Sequence, residues 1–101
     1  MGARVTPNRG APPSREELSV RFAGEGLRPR WWGNAAGDVY GSHAHEHPKV
    51  LYCLDGSITF HTEEGDLELQ PGDRLDLDAG TPHAATVGSN GVTCVEAYVE
   101  G

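Results

Sequence analysis

KVLYCLDGSITFHT (residues 49–62) and LELQPGDRLDLDAGTPHAATV (residues 67–87) decide the fold class. In both, short runs rich in β-branched, aromatic and leucine side chains are cut by Gly, Pro and Asp, the texture of strands joined by tight turns. The same reading carried outward places strands over residues 39–45, 49–54, 57–62, 66–69, 74–77, 83–87 and 92–99. Asp55-Gly56 and Asn90-Gly91 are dipeptides that a two-residue hairpin favours, because both central positions take positive φ, so the chain is expected to reverse at each. Short strands avoid bare edges best by closing on themselves. The sequence therefore predicts an all-β barrel or jelly roll.

Before these strands the pattern changes. Ser14 and Glu17 have the spacing of a capping box, Leu18 and Phe22 lie four apart on one helical face, and Gly24 or Gly26 can end the segment. A short helix is expected over 15–24, although Leu18, Val20 and Phe22 also alternate as a strand would. Residues 1–13 carry Pro7, Pro12 and Pro13 without any apolar period and read as a flexible arm, leaving 14–101 as one domain. Trp31 and Trp32, adjacent on a strand, must point to opposite faces.

Acids outnumber bases, 15 to 8, for a formal net charge of -7, which argues against a nucleic-acid partner, since phosphate binding rests on Lys and Arg. No stretch is long and apolar enough to cross a membrane as a helix, and MGARVTPNRG lacks the apolar run of a signal peptide. The expectation is a cytoplasmic protein with no membrane partner. Cys53 and Cys94 sit in the apolar runs VLYCL and VTCVEA and are expected to be buried, reduced thiols. The acids between Glu63 and Asp78 fall in turns and alternating positions, as on a solvated face, without the converging pair that glycoside hydrolysis requires.

Chemistry concentrates in the histidines. His43, His45 and His47 crowd the segment HAHEH, and residues two apart on a strand project from one face, so His43 and His45 form a chelating pair. His83, which follows the rigid Gly80-Thr81-Pro82 turn, is the candidate third ligand. His47 shares the parity of the pair, but Pro48 bends the chain beside it.

Around these histidines the sequence resembles the cupins. Gly37 precedes His43 and His45 by the interval of the first cupin motif, and Gly56 stands where that motif ends. Gly72, Gly80 and His83 keep the spacing of the second motif. The resemblance implies a double-stranded antiparallel β-helix, the jelly-roll or cupin barrel, with a short N-terminal helix and with His43, His45 and His83 turned inward as ligands to one divalent transition metal ion (Zn, Fe, Ni or Mn). Three positions depart from the pattern. Lys49 replaces the first motif's carboxylate, Asp78 the second motif's proline, and Val87 its asparagine. An ammonium group offers no lone pair to a metal, so the site is three-histidine, four-histidine with His47, or empty.

Three imidazoles around a dication leave an open position, the pattern of catalytic rather than structural sites. The expected partner is a small-molecule ligand or substrate, handled by a metal-dependent enzyme or, alternatively, by a non-catalytic binding or sensing barrel. A homodimer is expected from the resemblance and because VLYCL is apolar on both faces. In the last strand Val92, Cys94, Glu96 and Tyr98 share one face. If that face lines the barrel, Glu96 and Lys49 form a buried ion pair beside the metal; if not, both are solvated.

Overall fold

The structure, a computed structural model, describes residues 2–99. Its elements run β1 (Ala3–Thr6), α1 (Arg15–Gly24), β2 (Arg30–Asn34), β3 (Val39–His43), β4 (Lys49–Thr62), β5 (Gly65–Leu69), β6 (Arg74–Leu77) and β7 (His83–Tyr98). All strand pairs are antiparallel. The long strands β4 and β7 pair along their whole length, and each bends in the middle. On one side of the bend Lys49–Cys53 lies between β6 and the end of β7, which carries β2 beyond it; on the other, Ile58–Thr62 lies between β5 and the start of β7, which carries β3. The two halves are the two layers of a jelly roll.

The bend explains why neither glycine dipeptide reverses the chain. Gly56 and Gly91 do take positive φ, 76° and 77°, but there the pairing slips register, between Cys53 and Asp55 and again between Gly56 and Ile58. That is a bulge, which kinks a strand instead of ending it. The expected strands 49–54 and 57–62 are therefore one strand, as are 83–87 and 92–99. A Cβ on Gly56 would run into the Gly91 carbonyl. Gly56→Ala is expected to lower stability by roughly 1 to 3 kcal/mol from the backbone strain alone, with a further penalty for the collision, whereas Gly65→Ala has positive φ but meets nothing within 4 Å. Urea melts of both variants test this. Equal losses would contradict the role given to the bulge.

The barrel core draws on both layers: Leu51, Cys53, Leu75 and Cys94 from one, Ile58, Phe60, Leu69 and Val87 from the other. A second cluster lies outside the first layer, where Val50, Tyr52, Val95 and Ala97 are covered by Leu18 and Phe22 of α1. That helix forms where the capping box predicts, with Ser14 and Glu17 exchanging hydrogen bonds of 3.1 and 2.8 Å. The apolar outer face of VLYCL, on which the homodimer expectation leans, is thus covered within the chain. Trp31 and Trp32 divide as adjacent strand residues must, Trp31 against the outer cluster and Trp32 against the barrel core.

The N-terminal residues differ from the expected arm. Ala3–Thr6 adds to β6 as an outer strand, and Asp78 anchors it by accepting from the Gly2 amide at 3.0 Å and pairing with Arg4 at 3.3 Å. Four residues are too few for alternation to stand out beside three prolines. Asp78, a departure from the cupin pattern, has its structural use here.

Candidate metal centre

His43 ends β3 directly opposite His83, which opens β7. β3 stops there, so strand parity does not place His45; the following loop does, through the Gly80 amide donating to the His45 carbonyl at 2.8 Å. The three rings converge, with centroids 4.8, 4.4 and 5.2 Å apart. One nitrogen from each lies within 4.8 Å of the others. His47 is exposed and outside the cluster, so its place beside the site in the sequence reading is corrected. Pro48 and the bend over Glu46 and His47 carry it away.

Hydrogen bonds fix which nitrogen each ring presents. A carbonyl oxygen only accepts, so His43 Nδ1–H donates to Gly41 O at 2.7 Å and His83 Nδ1–H donates to Thr81 O at 2.9 Å, which leaves Nε2 as the nitrogen each ring presents. At His45 an ammonium, which only donates, lies 3.5 Å from Nε2, while Nδ1 meets the Tyr98 hydroxyl at 3.1 Å. With Nδ1 of each ring engaged in this way, Nε2 is the nitrogen left to bind a metal, and the partners on Nδ1 hold the rings in place.

Burial pushes His45 and His83 below the ordinary histidine range; at His45 the nearby Lys49, His43 and His83 add to it, and at His83 the Thr81 carbonyl opposes it. Neutral imidazole is accordingly favoured near pH 7. A depressed folded-state pKa means that the unfolded chain takes up protons first as pH falls. The stability linked to neutral His45 and His83 is complete above the ordinary pKa of about 6.5 and is lost as pH drops from there toward the lowered folded values. Thermal melts of chelator-treated protein between about pH 7 and pH 5 should show this loss, and His83→Gln should flatten it. An unchanged slope in that variant would contradict the assignment.

Lys49 and Glu96 form the pair that β7 parity allows. Lys49 Nζ lies 3.2 Å from Glu96 Oε1, with the side chains 10% and 13% exposed. Trp32 Nε1 donates to the same oxygen at 3.0 Å. Glu96, Lys49 and the histidines line one cavity of about 280 Å3 whose apolar wall comes from Trp32, Leu51, Ile58 and Phe60, with Arg30 also on its lining. Tyr98 and Trp32 have roles here that the sequence does not reveal. The β2–β7 register brings Trp32 to Glu96, and the loop after β3 brings His45 to Tyr98.

The sequence pattern that defines the cupin domain matches residues 31–96, well over half of the chain. The chain belongs to the cupin domain family. This cupin is 36% identical over 66 residues to quercetin 2,3-dioxygenase of Bacillus subtilis (strain 168), a match covering 64% of the chain but only 20% of that relative's length. Among solved structures, a cupin superfamily protein from Desulfitobacterium hafniense DCB-2 matches 98% of the chain and 78% of its own at a TM-score of 0.66 and 12% identity. A cupin domain from Bordetella pertussis Tohama I matches 74% and 82% at 0.60 and 20%. At those identities the likeness is one of fold.

Proposed function

We propose that this cupin holds one divalent transition metal ion on His43, His45 and His83 and acts there as a metal-dependent enzyme on a small organic molecule. The observation that carries the reading is the convergence of three imidazoles, with one nitrogen of each within 4.8 Å of the others and a hydrogen-bond partner on each Nδ1. A neutral N3 donor set suits zinc, iron, nickel and copper. When bound, such an ion supplies a Lewis-acidic centre for an oxygen ligand.

The chain's own residues do the rest. Trp32, Leu51, Ile58 and Phe60 hold an apolar body and exclude water, and the cavity volume suits a small molecule. Among the described residues, Glu96, fixed by Trp32 and Lys49, is the one carboxylate on the lining and the acceptor for a proton from the bound molecule. Lys49 must leave His45 Nε2 for that nitrogen to bind a metal, and Glu96 keeps it beside the cavity when it does. One observation favours a second reading, a non-catalytic binding barrel: Glu96 Oε1 already accepts from two donors, Trp32 and Lys49, and is engaged in the protein's own contacts.

Cobalt(II) titration of metal-free protein tests the site. One equivalent should develop visible absorption, and added azide should shift it, because a three-nitrogen site leaves a position open. Binding of cobalt with no response to azide would mean a closed site and would contradict the proposal.

A further inference from the structure

Cys53 and Cys94 face each other across β4 and β7 as register partners, both fully buried in the barrel core. Both backbone groups of Cys53 are used on the other side: its amide donates to Asp73 O at 3.1 Å and its carbonyl accepts from the Gly72 amide at 2.7 Å. Toward Cys94, therefore, Cys53 occupies a non-hydrogen-bonded pair, the closer of the two antiparallel kinds, with Cα atoms about 4.5 Å apart. A disulfide spans Cα separations of about 4.4 to 6.8 Å. The backbone already has the geometry of a cross-link.

We propose that Cys53 and Cys94 are a redox modification site, closed into a reversible intrachain disulfide by a two-electron oxidant of the peroxide class. The pair lies under the candidate metal pocket: Cys94 is opposite Trp32 in β2 and shares its strand face with Glu96 two residues on. Access comes from the bulge. The Cys53 sulfur is 3.6 Å from the carbonyl oxygens of Asp55 and Gly56, where the ladder slips register and Asp55 is exposed, so local opening there uncovers Cys53 first.

The thiols are unequal in the direction the chemistry needs. The neighbouring Cys94 thiol holds that of Cys53 below its ordinary range, and the Cys94 thiol is itself pushed up by its interaction with Cys53 and by burial. Cys53 as thiolate attacks one peroxide oxygen, the O–O bond breaks, and the departing hydroxide takes a proton to become water, leaving a sulfenic acid. The Cys94 sulfur then attacks that sulfur and the S–O bond breaks; the hydroxide leaves as water with the Cys94 proton. Two thiols are oxidised and one peroxide becomes two waters.

The test is hydrogen peroxide treatment of the full chain, followed by unfolding in N-ethylmaleimide and intact-mass and peptide analysis. The expected result is a monomer lighter by two hydrogens, with neither cysteine alkylated, a linked peptide joining Cys53 to Cys94, and full reversal by dithiothreitol. In Cys94→Ala the reaction should stop at a Cys53 sulfenic acid that dimedone traps. Alkylation of both cysteines after peroxide treatment, or disulfides found only between chains, would overturn the proposal. The unsubstituted chain decides the matter even if the variant does not fold.

Discussion

Lys49→Met is expected to destabilise the metal-free protein by about 3 to 5 kcal/mol, and Glu96→Gln by a comparable amount. The pair is nearly sealed from solvent, so removing one charge strands the other in a low-dielectric site where water cannot compensate. Glutamine keeps an acceptor for Trp32 Nε1, which confines that change to the loss of charge. Because each single variant suffers for the same lost partner, the double variant should be far less than additive. Urea denaturation with chelator present keeps metal binding out of the comparison. Two effects below about 1 kcal/mol that simply add would be the behaviour of a solvated pair and would contradict the burial argument.

The largest functional effects should fall on metal affinity. His43→Ala, His45→Ala and His83→Ala each delete one of three donors and should abolish measurable uptake, while His47→Ala, at an exposed position outside the cluster, should leave it unchanged. Tyr98→Phe removes the partner of His45 Nδ1 and should weaken binding roughly 10- to 100-fold without abolishing it. Lys49→Glu should tighten binding, because it replaces a cation 3.5 Å from His45 Nε2 with a carboxylate donor. Isothermal titration with zinc across this set gives a ranked prediction. Weaker binding in Lys49→Glu than in the unsubstituted chain would show that Lys49 does not oppose the metal.

Much of this was legible in the residues, for reasons that are local. The helix was, because a capping box and an i, i+4 apolar pair are both short-range signals, and both are present at Ser14, Glu17, Leu18 and Phe22. Strand content was too, since alternation marks it. The two glycine dipeptides were misread because positive φ serves a hairpin and a bulge equally, and the choice depends on what lies across the ladder. β1 escaped notice because ARVT leads into a proline-rich stretch, and of β2 only the Trp31-Trp32 pair was read as strand. In the site, HAHEH and His83 stood out by residue type, and the Lys49–Glu96 pair followed from parity once the inner face of β7 was chosen. His45 reached the cluster, and Tyr98, through a loop rather than a strand, and the contact of Trp32 with Glu96 depended on a register that no single segment encodes.

The proposed metal site of this cupin stands on His43, His45 and His83 acting together. Elemental analysis of untagged protein, purified without chelator and then dialysed, measures it directly. Close to one transition-metal ion per chain is expected in the unsubstituted protein and almost none in His83→Ala, which removes the most buried of the three histidines. Metal-free protein that takes up no zinc, iron or nickel on reconstitution, or equal metal content in the two proteins, would contradict it.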